Sequence, residues 1–244
     1  MSFWPNGCFD GHQVLITGGT SGIGAAIARG FIVEGAVVTV TGVSEAETIK
    51  ARDEIPGVSA TVLDVRNGDA VKALVGGFAR LDHVVNCAGI IRRGDELDPD
   101  VFADVIDINL NGTMRVCAAA REKLKQTGGT IVNTASMLSF FGGGLVPAYA
   151  SSKGGISQLT KSLAIAHAED GIRVNAIAPG WIETPLTKAL RENPERKAAI
   201  IGRTPLKRWG KPEDLVGGAL YLSSPIASFV TGTVLVIDGG YMTV

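Results

Sequence analysis

Short runs of apolar, mostly β-branched residues recur along the chain at 14–17, 36–41, 58–63, 83–86, 130–134, 173–177 and 234–237. They lack the alternation of a sheet with one wet face, so they predict strands covered on both sides, as parallel strands are. Between them the apolar positions take helical spacing, which predicts helices over 23–34, 46–54, 70–79, 101–125, 149–168 and 213–223. Strand and helix alternate throughout. The expected fold is α/β: one domain over 1–244, with a seven-stranded parallel sheet doubly wound by flanking helices through right-handed crossovers. No internal repeat or linker divides it. The stretch 181–211 is the least regular, with Pro185, Pro194 and Pro205 among many charges. Long irregular segments in compact domains usually serve binding, so a substrate lid is expected there.

Composition narrows the partners. Hydrophobic residues make up 45% and charged residues 19%, and the net charge is −1. That is an ordinary folded chain without a basic stripe, so no nucleic-acid partner is expected. No apolar stretch reaches the ~18 residues of a membrane span. Cys8, Cys87 and Cys117 are too few and too scattered for a disulfide framework or a metal site. Residues 1–11 show no basic start followed by an apolar run. Together these predict a cytoplasmic protein without a bound metal. The 32 glycines punctuate the apolar runs, which suits many tight strand-to-helix turns.

The most informative of those turns follows the first strand: Thr17-Gly18-Gly19-Thr20-Ser21-Gly22-Ile23-Gly24. Such a turn lets backbone approach a pyrophosphate, and the helix N-terminus behind it offers free N–H groups and a positive dipole end. Gly18, Thr20, Ser21, Gly22, Ile23 and Gly24 are therefore candidate cofactor contacts in a Rossmann-type fold. The spacing differs by one residue from the common dinucleotide fingerprint. Further on, Tyr149 and Lys153 stand four apart on a predicted helix and share one face. A tyrosine ordinarily ionises near pH ~10, too high for a base at neutral pH, and a neighbouring cation favours its phenolate. Ser136, thirteen residues before Tyr149 and at the end of a predicted strand, can hold a substrate oxygen. His12, His83 and His167 carry no such pattern and are read as structural or exposed.

In this order and on these elements, the motifs resemble the short-chain dehydrogenase/reductase family from about Gly11 to Tyr241. The resemblance implies a nicotinamide-dependent enzyme that moves a hydride between cofactor and a small alcohol or ketone. It assigns Ser136, Tyr149 and Lys153 to catalysis, with Lys153 also on the nicotinamide ribose. Asn109, in Ile108-Asn109-Leu110-Asn111-Gly112, would hold a water in a proton relay. Asn86-Cys87-Ala88-Gly89 is similar to the family's Asn-Asn-Ala-Gly, departing at Cys87, and marks Asn86, Ala88 and Gly89 as cofactor residues. Asp64 and Val65 resemble the adenine-contacting pair. Pro179-Gly180-Trp181-Ile182-Glu183-Thr184 resembles the segment beside the nicotinamide and adds Pro179, Gly180, Ile182 and Thr184. The resemblance also implies a homotetramer assembled through the helices at 101–125 and 149–168.

Cofactor choice is read at the end of the second strand, where an acidic residue would favour NAD and an arginine NADP. Gly42 and Val43 occupy those places, and Ser21 stands where the glycine loop would carry a basic residue. NAD is the expectation and NADP the alternative, with Glu45 close enough to repel a 2′-phosphate and Arg66 the one cation that could swing toward it. Local strings around Ala88–Arg93, Ala135–Gly143 and Arg208–Gly210 resemble sugar-acid dehydrogenases of the 2-dehydro-3-deoxygluconate 5-dehydrogenase type. A sugar acid or polyol is the expected substrate. Arg92 and Arg93 are candidates for its carboxylate, and Trp181 for the pocket wall. Two alternatives remain: an NADPH-dependent 3-oxoacyl-carrier-protein-type reductase, and a non-catalytic dinucleotide-binding sensor on the same fold. The segment between Asp64 and Asn86 is short for the family, which trims the helix after the third strand.

Overall fold

Val14, Leu15 and Ile16 are fully buried, which only a strand with helices on both faces allows. They form the middle of β1 (Gln13–Thr17), which leads into α1 (Gly22–Val33). Next come β2 (Val37–Gly42), α2 (Glu45–Glu54), β3 (Ser59–Val62) and a short α3 (Gly68–Gly76). β4 (His83–Asn86) is followed by α4 (Pro99–Ile106), a π-helical turn at Asp107–Asn111, and α5 (Gly112–Thr127). β5 (Thr130–Thr134) precedes α6 (Pro147–Ala166), and β6 (Arg173–Pro179) precedes α7 (Lys188–Glu192), α8 (Pro194–Arg203) and α9 (Val216–Ser223). β7 (Val234–Ile237) completes the sheet. This computed structural model describes residues 7–244; the leader-like pattern sought at 1–11 falls partly on residues 1–6, outside the described residues. Among the described residues, no helix is long and apolar enough to cross a membrane.

The sheet has seven strands, all parallel, in the order β3-β2-β1-β4-β5-β6-β7. The order of succession across the sheet reverses between β1 and β4, and a crevice opens there beyond the carboxyl ends of the strands. One face buries Phe31 and Ile27 of α1 with Leu222 of α9; the other buries Leu124 of α5 and Leu163 of α6. Each such side chain contributes ~1.5–3 kcal/mol when fully buried, so both layers hold the crevice rigidly.

Two expectations need correction. The single helix over 101–125 is interrupted by the π turn. The cause is Asn109, fully buried, whose amide reaches sideways to the loop after β4 instead of outward. Thr113 Oγ1 donates to the Asn109 carbonyl at 2.8 Å within the altered turn. The stretch 181–211 is also more regular than its prolines suggested. Pro194 starts α8 rather than breaking it, with Asn193 accepting from the Arg196 N–H at 3.0 Å. Proline suits the first helical turn, where its missing N–H has no partner to lose. His12 and His83 meet at 3.0 Å by the amino-terminal ends of β1 and β4, on the opposite edge of the sheet from the crevice. Burial pushes the His83 imidazole down to about 3.

Candidate active site

The crevice begins at Gly18, whose φ is +64° and whose hypothetical Cβ would lie 2.6 Å from the Ala88 backbone nitrogen. Only glycine lets the β1 and β4 loops touch there. Behind the loop, Ser21 is the N-cap of α1 but makes no side-chain cap, so its first-turn N–H groups remain open. Thr184 stands over this loop: a Cβ on Gly22 would meet its methyl group at 3.4 Å. Uncapped donors, a glycine cradle and a lysine across the cleft fit the pyrophosphate and ribose hydroxyls of a nicotinamide dinucleotide.

Across the crevice stand the ends of β5 and α6. Lys153 is 5% exposed, and its Nζ donates to the Thr134 carbonyl at 2.6 Å. The same Nζ lies 5.5 Å from the centroid of the Tyr149 ring. Burial pushes the Lys153 ammonium down to about 8. Burial pushes the Tyr149 phenol up; the adjoining Ser136 hydroxyl pulls it down, Glu96 raises it and Arg93 lowers it. Ser136 Oγ accepts from the Leu138 N–H at 3.1 Å, which leaves its own proton free to donate. Ser139 ties that turn to α6: its Oγ donates to the Lys153 carbonyl at 2.6 Å and accepts from the Ser136 N–H at 3.3 Å. Asn109 completes the group. It accepts from Ile90 N–H at 2.8 Å, donates to Ile90 carbonyl at 3.0 Å, and donates to Ser152 Oγ at 3.1 Å. Ser152 Oγ in turn donates to the Tyr149 carbonyl at 2.7 Å. The four residues singled out for catalysis therefore converge on one spot.

Other sequence candidates sort differently. Asn86 does not face the crevice; its amide donates to Asn133 at 2.9 Å within a buried chain that joins Thr17, Asn86, Asn133 and Thr160 across the sheet. Val65 is buried against Gly112, so only its backbone is available to a ligand. Asp64 is taken by Arg66, which donates at 2.7 Å and also reaches Asp104 at 2.8 Å. Arg66, the cation that could have swung toward a 2′-phosphate, is thus held between two carboxylates. Trp181 packs at 5.8 Å from Trp209 and 6.2 Å from Tyr241, in the cluster that anchors the 181–211 segment. Trp181 also lines a small cavity with Leu206, Arg208, Asp238 and Gly239, so it both packs the segment and forms a wall there. Arg208 is likewise committed, to Asp214 at 2.6 Å.

The two arginines after β4 diverge. Arg93 loses hydration, feels the charge of Arg196 on α8, and interacts electrostatically with Glu96 and Tyr149. No such coupling to Tyr149 involves Arg92. Among the described residues, neither Arg93 nor Arg196 has an ion-pair partner within 4.0 Å. Sequence reasoning missed Arg196, which lies 103 positions along the chain from Arg93. It also missed Glu96, 1% exposed, whose carboxylate accepts from Arg92 N–H and Tyr149 N–H, each at 2.8 Å. That carboxylate fastens the loop after β4 to the first turn of α6. No local pattern marks it; only its burial does.

Comparison with known proteins agrees with this geometry. The family model for enoyl-(acyl carrier protein) reductase, a short-chain dehydrogenase/reductase family, matches residues 18–242. The 2-dehydro-3-deoxy-D-gluconate 5-dehydrogenase of Pseudoalteromonas atlantica is 41% identical, with 96% of each chain covered. A 3-oxoacyl-[acyl-carrier-protein] reductase of Thermotoga maritima is 40% identical over 95% of this chain and 98% of its own. Among solved structures, a gluconate 5-dehydrogenase from Burkholderia cenocepacia J2315, in complex with NADP and tartrate, superposes with a TM-score of 0.91 at 33% identity, covering 98% of each chain.

Proposed function

Since the chain belongs to the short-chain dehydrogenase/reductase family and is a nicotinamide-dependent oxidoreductase, we propose that its substrate is a sugar acid, oxidised at a secondary alcohol with NAD. The observation that carries this reading is Arg93, an exposed cation on the loop after β4 that has no ion-pair partner among the described residues and whose charge reaches Tyr149. A bound dinucleotide would supply the hydride acceptor, or the donor in the reverse direction. Gly18, Thr20, Ser21, Gly22, Ile23 and Gly24 hold the pyrophosphate side, and Gly42, Asp64 and Val65 border the adenosine. Ala88, Gly89, Pro179, Gly180, Ile182 and Thr184 line the nicotinamide end, with Asn86 bracing the strand beneath.

The residues divide the remaining work. The Tyr149 phenolate takes the hydroxyl proton as the C–H bond breaks, and in reduction the phenol returns it to the carbonyl oxygen. Lys153, as an ammonium, favours the phenolate and holds ribose hydroxyls. Ser136 donates to the substrate oxygen as charge develops on it. Asn109 holds a water that links Lys153 to solvent. The 181–211 segment closes over the substrate, and Arg196 on α8 brings a second positive charge beside Arg93.

The relative from Thermotoga maritima gives weight to a second reading, carrier-bound 3-oxoacyl reduction with NADPH. The convergence of Asn109, Ser136, Tyr149 and Lys153 speaks against a sensor without catalysis. One panel decides among them: sugar acids, matching alditols and 3-oxoacyl thioesters, each followed at 340 nm with both cofactors. Sugar-acid oxidation with NAD is expected to give the highest kcat/KM. Faster thioester reduction with NADPH would overturn the proposal, and no turnover with any of them would favour the sensor.

We also propose a homotetramer. Ile165 on α6 is 79% exposed and Met114 on α5 is 40% exposed, on the long helices where apolar surface has no partner within one chain. Light scattering at micromolar concentration is expected to give four times the 25.3 kDa chain mass. A monomer would refute it.

A further inference from the structure

At the end of β2, Gly42 stands where an acidic side chain would ordinarily meet the adenosine ribose. A Cβ on Gly42 would come within 2.6 Å of Glu47 Oε2 and 2.8 Å of Thr20 Cγ2. The glycine is what lets these two side chains approach each other over the strand end. Glu47 Oε2 accepts from the Val43 N–H at 2.9 Å and from Thr20 Oγ1, in the glycine loop, at 3.5 Å. Gly19 N–H donates to the Thr41 carbonyl at 3.1 Å, so loop and strand end are fixed to each other beneath that carboxylate. We infer that Glu47, reaching back from the first turn of α2, selects the cofactor by accepting ribose hydroxyls and excluding a 2′-phosphate. The inference rests on the dinucleotide reading and deepens its preference for NAD.

A simpler account would make Glu47 a helix cap, since Ser44-x-x-Glu47 has the capping-box spacing and Ser44 Oγ accepts from Glu47 N–H at 3.3 Å. A capping box, however, returns the glutamate to the N–H of the cap residue itself. Here the carboxylate passes Ser44 and takes the Val43 N–H, one residue nearer the glycine loop. Its other oxygen makes no hydrogen bond among the described residues.

The same contacts remove what a 2′-phosphate would need. An N–H at the head of α2, a cap hydroxyl and a threonine hydroxyl would together bind an anion well. The Glu47 carboxylate takes two of the three, Val43 N–H and Thr20 Oγ1, while Ser44 Oγ accepts from the Glu47 backbone N–H and keeps its own proton. The nearby cations are also committed. Arg66 is held by Asp64 and Asp104, Arg52 donates to the Ala60 carbonyl at 2.6 Å, and Lys50 faces Glu54 at 3.7 Å. A phosphate entering here would meet a carboxylate with no counter-charge. Glu45, the acidic residue that the sequence placed nearest, starts α2, and among the described residues its carboxylate makes no hydrogen bond to the glycine loop.

The test is calorimetric titration of the full-length protein with NADH and NADPH, and with adenosine 5′-phosphate and adenosine 2′,5′-bisphosphate as fragments. Wild type, Glu47→Gln, Glu47→Ala and Glu45→Gln are compared, with melting temperatures recorded alongside. Wild type is expected to bind NADH more tightly. Glu47→Gln is expected to cut the NADH preference about tenfold, mainly by tightening NADPH and the bisphosphate, because a like-charge contact is removed. Glu45→Gln is expected to leave the ratio unchanged. Equal weakening of both cofactors with a lower melting temperature would show a cap alone and overturn the inference. So would an unchanged ratio in Glu47→Gln while wild type still prefers NADH, and the NAD reading would then stand without Glu47. A wild type that binds NADPH as tightly as NADH would instead refute the NAD preference itself, and with it this role for Glu47.

Discussion

Tyr149→Phe is expected to lower kcat by about three orders of magnitude, the usual range for removing a general acid or base, while the Kd for NADH changes little. The ring would remain over Lys153, at the same 5.5 Å from its Nζ, so the cleft keeps its shape and only the transferable proton is lost. Stopped-flow turnover and a parallel cofactor titration check both halves. A variant that keeps more than about a tenth of the wild-type rate, a loss below ~1.4 kcal/mol of barrier lowering, would remove Tyr149 from the reaction.

The pH profile supplies an independent sign. Oxidation needs phenolate, and burial pushes the Tyr149 phenol up. Oxidation should therefore still be rising above neutral pH, and reduction, which needs the phenol, should fall over the same interval. Burial also brings Lys153 down to about 8, below the raised Tyr149 phenol, so burial separates two ionisations whose ordinary values lie close together. As a stability effect Lys153 has a definite sign as well. Its folded pKa lies below its unfolded one, so the folded chain releases that proton first. Its unfavourable contribution is full below about pH 8 and is relieved as pH rises toward the unfolded value.

Much of this site was legible in the sequence because its signals are local. The glycine turn sits between a strand and a helix, and the Tyr149–Lys153 spacing is a property of one helix. Those relations follow from backbone periodicity, and the seven apolar runs fall on the seven strands. What was not legible depends on contacts between distant segments. Asn109 bends its helix because Ile90, nineteen positions earlier, offers both a donor and an acceptor. Glu96 is functional in placement only because Tyr149 lies 53 residues later. Glu47 was overlooked in favour of Glu45 because sequence distance from β2 said nothing about which way a first-turn side chain points. Trp181 could not be placed for the same reason, since its neighbours Trp209 and Tyr241 lie far along the chain.

Arg93→Ala is expected to depress kcat/KM for a sugar acid by roughly thirtyfold, about 2 kcal/mol, and to affect the matching alditol much less. Arg93 is an exposed cation that feels the charge of Arg196 and has no ion-pair partner among the described residues. Cations left in that state are stabilised by an incoming anion, and a guanidinium can hold a carboxylate through two parallel hydrogen bonds. Such a contact also orients the substrate over Tyr149, so kcat should fall along with the rise in KM. Arg92 shares no such coupling to Tyr149, and Arg92→Ala should cost several-fold less. A second signature separates carboxylate binding from a general disturbance of the loop. Arg93 lowers the Tyr149 phenol, so its removal should move the rising limb of alditol oxidation to higher pH even where the maximal rate is preserved. Equal losses on acid and alditol, with no alkaline displacement, would show that Arg93 only shapes the loop. The positive charge would then have to act through Arg196, and an Arg196→Ala comparison on the same two substrates would decide whether any carboxylate is read at this site.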